Sequence, residues 1–237
     1  MLNFLGIGAQ KAGTTWLYEM LKLHADLEFP AGKEIHFWDA HRARGGEWYQ
    51  LLFAGETPGK KKGEITPAYA MLAPPLIREI RDLNPALRVI YIIRNPLERA
   101  WSAALMALER AEMSIEEASD QWFIDHFRSR GSLQRGDYES CLRNWRSVFT
   151  PDQILVLRYE MLCHEPLAFL EACCRHIGAD PGFYSRAQPG IVAKRVFAGP
   201  DHPIRASLLP VLREIYHPRL RSLEAYLDID LSRWLET

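Results

Sequence analysis

A short apolar run, Leu2 to Ile7, passes into Gly8-Ala9-Gln10-Lys11-Ala12-Gly13-Thr14-Thr15-Trp16 and then into a helical pattern. A strand, a glycine-bounded loop and a helix in that order make a backbone cradle for an anion. Gly8 and Gly13 let the chain turn tightly and approach a bound phosphate closely. The helix expected to begin near Thr14 aims its N–H groups and the positive end of its dipole at the same place. Lys11 adds a mobile point charge, and Thr14 and Thr15 add hydroxyl donors.

The spacing approaches the nucleotide loop Gly-x-x-x-x-Gly-Lys-Ser/Thr, but Thr14 stands where that motif requires lysine, and the lysine has moved inside the loop. A metal-dependent nucleotide kinase should also carry a later strand whose end supplies an aspartate for Mg²⁺. Here the most strand-like segment, Arg88 to Ile93, runs into Arg94-Asn95-Pro96. An arginine at that strand end binds a second phosphate rather than a metal, so the kinase is the weaker alternative and no metal is expected. Two anion sites without a metal carboxylate point to a nucleotide with phosphate at both ends of its sugar.

At these residues the chain resembles sulfotransferases that use 3′-phosphoadenosine-5′-phosphosulfate (PAPS) and leave the bisphosphate PAP. The resemblance implies that the loop residues Lys11, Ala12, Gly13, Thr14, Thr15 and Trp16 hold the 5′-phosphosulfate, and that Arg94 and Ser102 hold the 3′-phosphate. The segments Lys33-Glu34-Ile35-His36-Phe37-Trp38-Asp39 and Glu64-Ile65-Thr66-Pro67-Ala68-Tyr69 resemble the branch that contains heparan sulfate glucosaminyl sulfotransferases and bacterial secondary-metabolite sulfotransferases. In that branch the residue matching Glu34 is the general base, with those matching His36 and Asp39 beside it. The implied reaction is in-line transfer of a sulfuryl group to an acceptor hydroxyl on a small metabolite, a carrier-linked group or a glycan. Lys11 stabilises the leaving phosphate oxygen. An inactive relative would have lost Lys11 or Glu34, and both are present.

One departure bears on the acceptor. Glycan-modifying relatives carry lysine where this chain has Ile65, and they carry a paired-cysteine loop near the C-terminus that Cys141, Cys163, Cys173 and Cys174 do not reproduce. All four cysteines lie in helical context without metal-ligand spacing and are read as reduced. A formal net charge of −1 argues against a nucleic-acid partner. No apolar stretch approaches the roughly 20 residues needed to span a bilayer, and the start lacks the pattern of a signal peptide. A cytoplasmic, non-membrane enzyme is expected, with its oligomeric state open.

The 237 residues, 48% of them hydrophobic, suffice for one large domain, and residues 1–237 are read as a single sulfotransferase domain. Strand-like and helical segments alternate, which predicts an α/β fold of the phosphate-loop nucleotide-binding type, with a mainly parallel central sheet flanked by helices. Strands are expected near 3–8, 34–37, 62–65, 88–93 and 153–158. Helices are expected over 14–23, 46–53, 74–82, 96–110, 115–128, 137–147, 165–177, 207–215 and 218–227. An extended 34–37 would place Glu34 and His36 on one side. Asp39 suits helix capping and function equally, and Tyr69 suits packing and acceptor lining equally. The run Lys60-Lys61-Lys62 reads as a solvated turn. Residues 189–203 read as a loop over the site, with Lys194 and Arg195 reaching the nucleotide and His202 a weaker candidate.

Overall fold

The computed structural model describes residues 1–55, 57–186 and 202–236. In chain order the elements that matter here are β1 (Leu2–Gly8), α1 (Thr14–Leu21), β2 (Leu27–Glu28), α2 (Gly46–Leu51), β3 (Lys61–Ile65), α3 (Pro74–Leu83), β4 (Arg88–Ile93), α4 (Pro96–Arg110), α5 (Asp120–Arg128), α6 (Arg130–Arg135), α7 (Tyr138–Arg146), β5 (Ile154–Arg158), α8 (Tyr159–His164), α9 (Pro166–Ile177), α10 (Phe183–Arg186), α11 (Leu209–Leu227) and α12 (Ser232–Leu235). Among the described residues the chain divides into two compact units, one holding 1–93 and 142–186 and the other 94–141 and 202–236.

The first unit carries one five-stranded sheet in the order β2-β3-β1-β4-β5, with every pairing parallel. The expected α/β class and mainly parallel sheet are therefore found. The central strands read as nearly continuous apolar runs because a parallel strand flanked by helices is covered on both faces. Phe4, Leu5, Ile7 and the whole of Val89 to Ile93 are buried accordingly. From β1 the chain builds β3 on one side and β4 on the other, so the strand order reverses at β1 and its carboxyl end faces the crevice where such sheets bind ligands.

The second unit is helical. Asn95 opens α4 by accepting the Leu97 N–H on Oδ1 at 3.0 Å, ahead of Pro96 in the first helical position. Trp101 and Phe123 pack at 4.9 Å between ring centroids.

Four expectations need correction. No strand forms at 34–37, because Glu34 and His36 take left-handed backbone angles (φ 61° and 55°) that no strand allows. The edge strand is instead the two-residue β2. The two helices expected at 207–215 and 218–227 are one, α11, running through Pro218. The buried stripe of Leu212, Tyr216, Leu220 and Leu223 outweighs the hydrogen bond that the proline deletes. The helix expected from 115 begins only at Asp120, where Ser119 accepts the Trp122 N–H at 3.2 Å as a cap. Finally, the lysine run is no solvated turn: Lys61 and Lys62 open β3, and Lys62 is buried with its ammonium donating to the Phe53 and Gly55 carbonyls.

Candidate active site

The phosphate loop leaves the carboxyl end of β1. Its base is tied to the neighbouring strand by the Ala9 N–H, which donates to the Ile92 carbonyl at 2.7 Å, and Ala12 N–H closes a turn on Ala9 at 3.2 Å. Lys11 (φ 69°) and Gly13 (φ 82°) are both left-handed. A Cβ on Gly13 would lie 2.7 Å from Leu162, so this position requires glycine on two counts. Gly13 precedes α1, and no side chain caps that helix start. The backbone donors there are thus left to the loop side of the helix, the arrangement an anion needs. Ala12, Thr14 and Trp16 are buried, while Lys11, Gly13 and Thr15 are half-exposed. Trp16 packs its ring edge against Phe169 at 6.1 Å, so its side chain belongs to the core.

The segment around Glu34 follows β2 and docks on the carboxyl end of β3, the strand beside β1. The Glu34 N–H donates to the Ile65 carbonyl at the end of β3 (3.0 Å), and the Thr66 N–H donates to Gly6 on β1 (2.9 Å). Although the backbone is not extended, Glu34 and His36 still meet: Oε2 of Glu34 lies 3.6 Å from Nε2 of His36. On its other side the His36 ring donates from Nδ1 to Asp39 Oδ2 at 2.9 Å. A carboxylate can only accept, so Asp39 fixes the tautomer and leaves Nε2 facing Glu34. Asp39 therefore orients the histidine rather than capping a helix. Lys33 pairs with the Glu34 carboxylate.

Beneath this segment lies Glu64, a member of the second family motif to which the motif itself gives no role. Glu64 is fully buried and receives hydroxyls from Tyr49 (2.5 Å), Thr66 (2.7 Å) and Tyr69 (2.7 Å). Burial pushes its carboxyl above the usual range, while the three hydroxyls pull it back down. The same burial, reinforced by the Glu64 charge, raises both tyrosine hydroxyls. Tyr69 thus packs and lines no exposed surface. The sequence signal was a glutamate between Gly63 and Ile65 in a strand that is otherwise covered. Ile65 itself is fully buried beside Gly6, so it contributes to the sheet interior rather than to an exposed acceptor surface.

In the second unit Arg94 follows β4 directly and pairs with Glu98 one helical turn on, at 3.0 Å from Nη2 and 3.1 Å from Nε. Its carbonyl accepts the Tyr138 hydroxyl at 2.8 Å. Ser102 lies half-buried two turns further along α4. His202 is exposed and its carbonyl accepts the Trp101 indole N–H at 2.7 Å. Lys194 and Arg195, with most of the expected 189–203 loop, lie outside the described residues. All four cysteines are free thiols. Among the described residues no group of three His, Cys, Asp or Glu is placed to hold a metal, and no helix is long and apolar enough to cross a membrane.

Comparison with known proteins shows the family. The chain is 27% identical over 237 residues to mouse (Mus musculus) heparan sulfate glucosamine 3-O-sulfotransferase 5, covering 90% of this chain and 68% of that protein. It is 28% identical over 207 residues to the mouse 3-O-sulfotransferase 6, covering 83% of this chain and 59% of that protein. Its fold matches a sulfotransferase from Alicyclobacillus acidocaldarius with a TM-score of 0.78 at 23% identity, over 99% of this chain and 98% of the other. It also matches mouse sulfotransferase SULT7A1, solved with PAP, with a TM-score of 0.51 at 15% identity, over 93% of this chain and 66% of the other. A family model described as "Sulfotransferase domain" matches residues 3–187, and the chain is accordingly an enzyme of the sulfotransferase family.

Proposed function

We propose that this enzyme moves a sulfuryl group from PAPS to an acceptor hydroxyl, with Glu34 as the general base and residues 1–237 working as one catalytic domain. The observation that carries the reading is positional. The phosphate loop leaves the carboxyl end of β1, and the Glu34 segment is hydrogen-bonded to the carboxyl end of β3, the strand beside β1. A nucleotide phosphate held on the first would have its outer end beside the carboxylate on the second.

The loop suits the donor. Its glycines leave space where a Cβ would collide, and its uncapped helix start and Lys11 offer positive charge without a metal. Bound PAPS would supply a sulfuryl group activated by a phosphate leaving group. Lys11 and the N–H groups of residues 12 to 16 would hold the 5′ end, and Lys11 would meet the charge that develops on the leaving oxygen. By resemblance to the family, Arg94 and Ser102 would hold the 3′-phosphate. Arg94 would then exchange its carboxylate partner Glu98 for phosphate, a bidentate geometry that arginine serves well.

Glu34 would accept the hydroxyl proton, an effect worth about 10²- to 10⁴-fold in rate. His36, held through Asp39, keeps Nε2 directed at Glu34 and orients either the base or the incoming hydroxyl. The acceptor classes compatible with this reading are a small metabolite, a carrier-linked group and a glycan. Transfer of radiolabelled sulfuryl from PAPS to a panel of these hydroxyl compounds is the direct test. The reading predicts labelled product with at least one class and its loss in Lys11→Ala. Label that stays on the nucleotide with every acceptor and with water would overturn it.

A further inference from the structure

Glu64 takes no part in the steps above, yet it is fully buried one residue from the Ile65 carbonyl that receives the Glu34 N–H. Taking a carboxylate out of water is expensive unless donors surround it. Here the donors are three hydroxyls drawn from separate points of the chain: Tyr49 on α2, Thr66 just after β3, and Tyr69 in the turn 67–71. Among the described residues no lysine donates to Glu64. Lys62, on the same face of β3, spends its ammonium on the Phe53 and Gly55 carbonyls.

What the two tyrosines do next gives the arrangement its meaning. The Tyr49 ring stacks on Phe37 with centroids 4.7 Å apart and planes 15° apart, and meets Trp38 edge-on at 5.4 Å. The Tyr69 hydroxyl, while donating to Glu64, receives the Trp38 N–H at 3.4 Å. One residue along from Glu64, the Ile65 carbonyl receives the Glu34 N–H. The segment carrying Glu34 and His36 is therefore pinned at residues 34, 37 and 38, and each pin leads back to Glu64 or its neighbour. Both site residues sit in the left-handed region, which costs a side-chain-bearing residue energy and persists only where surroundings enforce it.

We propose that Glu64 is a positioning residue for the Glu34–His36 segment, acting through Tyr49 and Tyr69. The inference rests on the reading of Glu34 as the base.

Replacing Glu64 by Leu strands three hydroxyls and risks unfolding, so the test uses Tyr69→Phe, which deletes the hydroxyl shared by Glu64 and Trp38. Three quantities are measured on the full chain: amide hydrogen exchange, calorimetric affinity for 3′,5′-adenosine bisphosphate, and PAPS cleavage with water as acceptor. In Tyr69→Phe the Trp38 amide should exchange about tenfold faster or more, with the amides of residues 11 to 15 unchanged and bisphosphate affinity within about twofold. PAPS cleavage should fall about tenfold, and the same change made in a Glu34→Gln background should cost less than about twofold, because a positioning residue has nothing left to position. Unchanged exchange at Trp38, or losses that multiply in the double variant, would overturn the proposal. Glu34→Gln cleaving PAPS at the wild-type rate would instead remove the base reading and the inference with it. An impaired Glu34→Gln beside an intact Tyr69→Phe would remove the anchor alone.

Discussion

The phosphate loop leaves the carboxyl end of β1 and the Glu34 segment is hydrogen-bonded to that of the neighbouring β3, and both hold side-chain-bearing residues in left-handed backbone, Lys11 in one and Glu34 and His36 in the other. They are held there by different means. The loop is shaped by its own residues: Gly13 fits where a Cβ would strike Leu162, and Ala9 and Ala12 close backbone bonds within a few residues or onto the adjoining strand. The Glu34 segment has no glycine between residues 33 and 39. It borrows its shape from Tyr49, Ile65 and Tyr69, which are distant in sequence. The contrast shows two ways to support strained functional backbone, one local and one imported, and it suggests that the two parts can be damaged separately.

The largest separation should come from Glu34→Gln. Removing the base should lower PAPS turnover about 10²- to 10⁴-fold while calorimetry shows bisphosphate affinity unchanged. Turnover that survives would remove Glu34 from the chemistry. Asp39→Asn should act on the same side of the comparison with smaller effect. It permits the wrong imidazole tautomer at His36 and should cost about 10- to 100-fold in turnover, again with affinity kept. A drop in nucleotide affinity instead would place Asp39 in the donor site.

Gly13→Ala tests the locally shaped loop. A methyl group forced against Leu162 in left-handed backbone should destabilise the fold by about 1–3 kcal/mol in urea unfolding and abolish measurable bisphosphate binding. A variant of wild-type stability that still binds would show that the loop relaxes freely.

The smallest effect concerns pH. Burial raises the Glu64 carboxyl above its usual 4.5, so the folded chain holds that proton more tightly than the unfolded chain. Its contribution to stability is then fully present below that usual value and is lost as pH rises towards the folded one. Glu64→Gln lacks this dependence. The stability of wild type relative to Glu64→Gln should therefore decline as pH rises from the ordinary carboxylate range through the raised one. A difference that stays flat would show that the three hydroxyls cancel the cost of burial.

The same contrast explains what could be read in the sequence. The phosphate loop, β1, β4 and α4 were legible because their determinants are contiguous: glycines at a turn, apolar runs, and Asn95-Pro96 at a helix start. Glu34, His36 and Asp39 are legible as a family motif, but the strand that the sequence suggests at 34–37 does not form, because the support of that backbone lies elsewhere in the chain. The role of Glu64 is hidden for the same reason, since nothing near it in sequence reveals that Tyr49 on α2 would reach it. In α11 the proline signal was local and strong, and the buried stripe that overrode it depends on packing partners that a linear reading does not display.

The account turns on a donor with phosphate at both ends of its sugar, and calorimetric titration tests that most directly. Wild-type protein should bind 3′,5′-adenosine bisphosphate tightly without added metal and bind ATP with Mg²⁺ weakly or not at all. A preference for ATP with Mg²⁺ would contradict the sulfuryl-transfer account and return the phosphate loop to the kinase alternative.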